Sequence, residues 1–198
     1  MTVSAIVPVR SFDGLTRLAR VLDTDARAEL MLRLTEHTVD VIRRAKLPAW
    51  VVSSDPRVTA WGAAHADRVV PEPPAGGLNA AALAGVNATH GPWMVVHADL
   101  PAVRVEDIVA AARLADRTIV IAPSRDGGTS LIGGNGDPPP FCYGPGSFHR
   151  HLSTVRGRAT VLVRPGLALD LDRSWDLTAL HHLGHLPGDT GGAVPLVS

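Results

Sequence analysis

Short apolar runs alternating with helical stretches over the first 122 residues are the feature that most constrains the fold of this chain. Residues 5–9, Ala5-Ile6-Val7-Pro8-Val9, mix β-branched and small side chains in a run short enough for a strand buried on both faces. Comparable runs over 50–52, 68–70, 93–96 and 118–122 predict four more strands. Helical patterns lie between them. The first starts near Asp25, capped by Asp23 or Thr24; Leu30, Leu34, Val41 and Ala45 form its stripe, and Pro48 ends it. Others pass through Val58, Trp61 and Ala64, through the Ala- and Leu-rich stretch 78–87, and through 105–114. This rhythm predicts an α/β fold of three layers around a mostly parallel central sheet.

Beyond Ala122 the rhythm breaks. A segment rich in Gly and Pro over 123–140 reads as loop. Strands are expected at 141–143, 161–163 and 167–169, a helix at 146–154, and a closing helix from Ser174 to about His182. One domain over 1–186 with a flexible tail at 187–198 is the expected organisation.

The 198 residues suffice for a core without staples, and nineteen basic against nineteen acidic residues leave no net charge. That balance argues against nucleic acid or an anionic membrane as partner and for small-molecule substrates. A homodimer is left open. The single cysteine, Cys142, rules out an internal disulfide. The N-terminal strand has no basic segment ahead of a long apolar run, and no run approaches the roughly 20 apolar residues of a membrane span. A cytoplasmic location is expected.

Chemistry concentrates at predicted strand ends. Asp99 follows a buried strand, where open α/β sheets bind ligands, although an Asp there also serves as a cap for the next helix. In Asp170-Leu171-Asp172 an extended backbone turns two carboxylates one way and Leu171 into the core. Like charges so placed call for a hard cation such as Mg2+, which takes carboxylates together with phosphates; a helix cap with a salt bridge is the structural alternative. Gly76-Gly77-Leu78-Asn79 precedes a helix, and the Asn79 amide suits a base edge or a sugar hydroxyl. Asp126-Gly127-Gly128-Thr129-Ser130 is either an anion-binding loop or a hairpin turn. Gly144-Pro145-Gly146-Ser147 offers a second anion cradle, with His151 one helical turn on, either at the same anion or merely packed. Arg10, at the end of the first strand, suits a polyphosphate, while Arg17 serves the same purpose or pairs with an acid such as Asp13. The chain has neither a Gly-Lys-Ser/Thr phosphate loop nor a Gly-x-Gly-x-x-Gly turn after the first strand. His181, His182 and His185 read as a solvated helix end.

In order, Val7-Pro8-Val9-Arg10, Thr16-Arg17-Leu18-Ala19, Gly77-Leu78-Asn79-Ala80-Ala81, His97-Ala98-Asp99-Leu100-Pro101, Gly127-Gly128-Thr129-Ser130, Tyr143-Gly144-Pro145-Gly146-Ser147-Phe148 and Gly166-Leu167-Ala168-Leu169-Asp170-Leu171-Asp172 resemble the 2-phospholactate guanylyltransferase family. Those enzymes make the precursor of the deazaflavin cofactor F420, and relatives accept phosphoenolpyruvate or 3-phosphoglycerate. The resemblance implies a nucleotidyltransferase-like fold and Mg2+-dependent joining of GTP to a small phosphorylated acid with release of pyrophosphate. It implies Asp99, Asp170 and Asp172 as metal ligands and Gly77 and Asn79 on the nucleotide; joined to the reading of the residues themselves, Arg10 and Asp99 are the expected catalytic groups, and Arg10, Arg17 and Asp99 are expected on the nucleotide as well. It places Thr129, Gly146 and Ser147 on the acceptor. The family usually carries lysine where Arg10 and Leu15 stand here. Two rivals remain: a nucleotidyltransferase with another acceptor, such as a sugar phosphate or molybdopterin, and a catalytically silent nucleotide-binding protein.

Overall fold

The computed structural model describes residues 2–74, 76–172 and 174–177. Strand β1, Ser4–Pro8, sends Ala5 and Val7 into one apolar core and Ile6 into another. Strand β4, Trp93–Val96, does the same, with Met94 and Val96 on the first side and Trp93 and Val95 on the second. Strands apolar on both faces need two covers. Helices α1 (Thr24–Arg44), α2 (Pro56–His65) and α4 (Val105–Ala115) cover the first face through Val39, Ile42, Val58, Ile108 and Ala111. Helices α3 (Gly77–Asn87) and α5 (Ser147–Thr154) cover the second through Ala82, Val86, Phe148 and Leu152. The three-layer α/β architecture follows from this two-sided burial.

The remaining strands are β2 (Ala49–Val52), β3 (Arg68–Val70), β5 (Ile119–Pro123), β6 (Thr129–Gly134) and β7 (Ala159–Val161). Their order is β3-β2-β1-β4-β6-β5-β7, and every neighbouring pair is parallel except the two that β6 makes. Chain order reverses direction between β1 and β4, which puts a crevice at their carboxyl ends. Helix starts follow local chemistry. The Asp23 carboxylate accepts the Ala26 amide at 2.8 Å, and Asp55, ahead of Pro56, accepts those of Arg57 and Val58.

Three expectations fail in the second half. Within the stretch read as loop at 123–140, β6 runs antiparallel between β4 and β5, so those two parallel strands are not neighbours. Its glycines are a packing requirement: a Cβ on Gly133 would come within 2.8 Å of Met94 Cβ and of the Trp93 carbonyl. Residues 141–143 form no strand, because the Cys142 and Tyr143 amides donate to side chains and not to a ladder. Residues 167–169 do not form a strand either. Pro165 pre-sets the helical φ and starts a single turn, α6 (Pro165–Ala168). The strand expected at 161–163 forms earlier, over Ala159–Val161. The closing helix begins at Ser174; its continuation toward His182, the histidines beyond it and the 187–198 tail lie outside the described residues. No described helix is long and apolar enough to cross a membrane.

Candidate active site

Asp99 does not cap α4. That role falls to Asp107, whose Oδ2 accepts the Arg104 amide at 3.1 Å. Asp99 instead stands beyond β4 with its carbonyl accepting the Leu171 amide at 2.9 Å. This bond ties the strand end to the segment carrying Asp170 and Asp172. Leu171 is fully buried with Leu18, Leu34 and Leu177, so alternation about it turns both acids to the same side. Asp99, Asp170 and Asp172 line one cleft of about 350 Å³, with Arg17, Thr129, Gly146 and Ser147.

The cleft holds a fourth carboxylate, Asp126. Burial pushes Asp99 up to about 6, and the charges of Asp172 and Asp126 add to the shift. Asp170 is pushed up to about 7, by burial first and then by Asp99 and Asp126. Burial would raise Asp126 as well, but hydrogen bonds from Ser124 and the Gly128 amide, with help from Arg17, hold it below the usual carboxylate range. Arg17 pairs with Asp172, and Asp13 pairs with Arg57. Among the described residues no three His, Cys, Asp or Glu side chains are grouped so as to hold a metal by themselves. Among the described residues Asp99 Oδ1 is buried without a hydrogen-bond partner, 3.8 Å from His97 Nδ1, while the side chain as a whole stays 29% exposed.

On the far wall, the Asp126–Gly128 segment is the turn between β5 and β6. The Ser124 amide donates to the Gly128 carbonyl at 3.1 Å, the Gly127 amide donates to the Ser124 carbonyl at 3.1 Å, and Gly127 takes a left-handed φ of 85°. The hairpin alternative therefore holds, and the turn presents a carboxylate, not an anion nest, to the cleft. At the start of α5 the amides of Ser147 and Phe148 donate to the carbonyls of Gly144 and Gly127. The hydroxyls of Thr129 and Ser147, 3.3 Å apart, are thus the polar groups offered there.

Arg10 and Gly77 line a second, more open cleft of about 600 Å³ with Ser11, Ser54, Asp55 and Glu72. Among the described residues no carboxylate lies within ion-pair distance of Arg10, although Asp55 and Glu72 share the lining of this cleft with it. The neighbouring residue, Leu78, lines the carboxylate cleft, so the start of α3 is the wall common to both. Asn79 lines neither. Its Oδ1 accepts the Tyr143 amide at 2.7 Å and so couples α3 to the acceptor-side loop. Asn79→Ala leaves that amide without its partner and is expected to lower the unfolding free energy by about 1 kcal/mol, measurable by urea denaturation.

Leu15, where the resemblance leads one to look for lysine, adopts a left-handed φ of 53° and packs beside Leu18, Leu22 and Leu171. The position is therefore part of an apolar brace under the Asp170 segment.

With this geometry in view, the sequence profile described as "Guanylyl transferase CofC like" matches residues 3–184. The chain belongs to that family. A phosphoenolpyruvate guanylyltransferase of Rubrobacter xylanophilus is 36% identical, with 93% of this chain and 96% of the relative covered. A 3-phospho-D-glycerate guanylyltransferase of Phenylobacterium zucineum is also 36% identical, with 87% and 86% covered. Solved structures share the fold. A nucleotidyl transferase from Methanothermobacter superposes with a TM-score of 0.66 at 20% identity, covering 92% of this chain and 98% of its own. A structure from Desulfovibrio desulfuricans G20, assigned as a nucleotide-diphospho-sugar transferase, reaches 0.75 at 17%, covering 96% and 90%.

Three groups lining the carboxylate cleft were given no role from the sequence. Asp126 sits in a segment whose Asp-Gly-Gly reads first as a turn. His97 and Tyr143 face each other at 5.1 Å between ring centroids, with His97 Nε2 and the Tyr143 hydroxyl buried and without a hydrogen-bond partner among the described residues. Burial lowers His97 to about 4 and raises Tyr143, so both are neutral near pH 7. Only the proximity of His97 to Asp99 in the sequence could have pointed to it.

Proposed function

We propose that this chain transfers a guanylyl group from GTP to a small acid bearing a phosphate and a carboxylate, with release of pyrophosphate. The observation that carries the reading is the paired clefts divided by the start of α3, one open to the Arg10 guanidinium and one walled by carboxylates and hydroxyls. In this reading the triphosphate lies against Arg10 and Gly77, and the acid lies between Thr129, Gly146 and Ser147.

Four carboxylates and one guanidinium line the second cleft, so an anionic acid meets net repulsion there unless a cation enters with it. The partly exposed Asp99 and the raised, mutually opposed Asp170 fit a hard divalent ion completed by phosphate oxygens. When bound, Mg2+ would neutralise charge on the reacting phosphates. Asp99 and Asp170 would hold it, with Asp172 kept in place by Arg17. The acid's own phosphate is ionised near neutral pH and attacks the α-phosphorus in line, so the protein need not supply a strong base. Its residues orient the two reactants and offset their charge. Relatives named for phosphoenolpyruvate and 3-phosphoglycerate support this acceptor class, and 2-phospholactate shares its chemistry. A cytoplasmic role in deazaflavin cofactor synthesis follows from the same reading.

The test crosses GTP, ATP, CTP and UTP with these three acids, following pyrophosphate release and product mass. Mg2+-dependent turnover with GTP and at least one acid is expected. GTP binding without pyrophosphate release in every combination would favour the silent reading that Leu15 motivates.

A further inference from the structure

His151 lies on α5 but not on the cleft. It is fully buried, and both ring nitrogens are engaged. The Cys142 backbone amide donates to Nε2 at 2.8 Å, so Nε2 carries no proton. A neutral imidazole then has its proton on Nδ1, which faces Thr129 Oγ1 at 2.9 Å and donates to it. Thr129 Oγ1 also receives the Ser147 hydroxyl. A threonine hydroxyl accepts twice and donates once, so its acceptor capacity is filled and its own proton remains. Whichever hydroxyl of the pair donates to the other, one O–H is left over. Among the described residues no protein acceptor takes it, and both residues line the carboxylate cleft.

We propose that His151 is the positioning residue of the acceptor side, fixing the Thr129–Ser147 pair so that it offers one hydroxyl proton to an anionic oxygen of the acid. This rests on the acceptor-side reading above. Tyr143 stands edge-on to the imidazole at 4.9 Å between centroids and Phe141 at 6.5 Å, so the ring cannot turn without breaking both hydrogen bonds. Charging the ring would put a proton on Nε2 against the Cys142 amide. Burial, with Arg150 and His97 nearby, accordingly lowers His151 to about 4. Neutrality matters because the imidazole must accept on one side and donate on the other. The ring thus sets hydroxyl direction and pins the Cys142 loop in one step.

The test measures the KM for phosphoenolpyruvate and for GTP in His151→Phe, His151→Asn, Thr129→Val and the double variant Thr129→Val/His151→Phe. Loss of one hydrogen bond to a charged group predicts that His151→Phe raises the acid KM roughly tenfold or more and leaves the GTP KM within about twofold. Asparagine can still donate from the Nδ1 position and should recover much of the loss. In the Thr129→Val background His151→Phe should add nothing; equal effects in both backgrounds would overturn the proposal. Should His151→Phe fail to fold, the wild-type tautomer decides. Nitrogen-15 NMR, with the signal identified by its absence from His151→Asn, should show the Nδ1–H form near neutral pH. An Nε2–H or charged ring would sink the idea. If the wild type binds phosphoenolpyruvate without releasing pyrophosphate, the transfer reading fails alone. The same comparison is then made on its calorimetric dissociation constant.

Discussion

Asp170→Asn is expected to make the metal-free protein more stable at about pH 8, by on the order of 2 kcal/mol, while lowering guanylyl transfer at least about a hundredfold. Its carboxyl is pushed up to about 7 in the folded chain, against an ordinary value of 3.8. Between those values the folded state binds more protons than the unfolded state, so stability from this group falls as pH rises. Above about 7 the penalty for holding a buried charge beside Asp99 and Asp126 is complete, and an amide escapes it. The gap between variant and parent should close as pH falls toward about 4, where both side chains are neutral. Asp99→Asn should behave alike over a narrower window, because Asp99 is raised only to about 6. Urea midpoints across this range in a chelating buffer measure the effect. A variant less stable than its parent at alkaline pH would contradict the electrostatic account. Added Mg2+ should raise the melting temperature of the parent and not of the variant.

Gly166→Ala is expected to destabilise the protein by about 3 kcal/mol and to reduce turnover although it touches no substrate. A Cβ there would meet the Asp107 carboxylate, stand 2.6 Å from the Ala102 carbonyl and 3.1 Å from Val103 Cα. Backbone on one side and a buried acid on the other leave no room to yield. Asp107 accepts the Arg104 amide at the start of α4, so displacing it also loosens that helix. The substituted turn would have to move outward, and four residues on it carries Asp170. Thermal denaturation should register the first loss. Activity assayed well below the lowered midpoint should register the second.

The first half of the fold was legible because buried parallel strands and amphipathic helices carry unlike periods. β1 and β4, with alternate residues feeding two cores, are the clearest instances. β6 was not legible: its apolar content is Leu131 and Ile132 between a turn and two glycines that exist for close approach to β4. The turn at Pro165 resembled a strand because its leucine is buried as a strand residue would be. At the site, Asp99 and the Asp170 pair declared themselves as acids at element ends. Asp126 did not, since its grouping with them depends on the hairpin that places it. Arg17 was expected on the nucleotide, and its distance from Asp172 in sequence concealed the pair.

Because β6 runs backwards, it begins at the edge where its parallel neighbours end. Thr129 on β6 therefore lies across from the segment that leaves β4 toward Asp99, with Val96 opposite Leu131 and the His97 amide donating to the Ser130 carbonyl at 3.0 Å. A ladder of backbone hydrogen bonds fixes that span as far as His97, two residues short of Asp99. That ruler is indifferent to side chains, so the span does not depend on the length of the segment at 137–140, outside the bonds that pin Gly136, Cys142 and Tyr143. In the proposed reading such a design would let selection retailor the fit to a particular acid without resetting the distance across which the reactants meet.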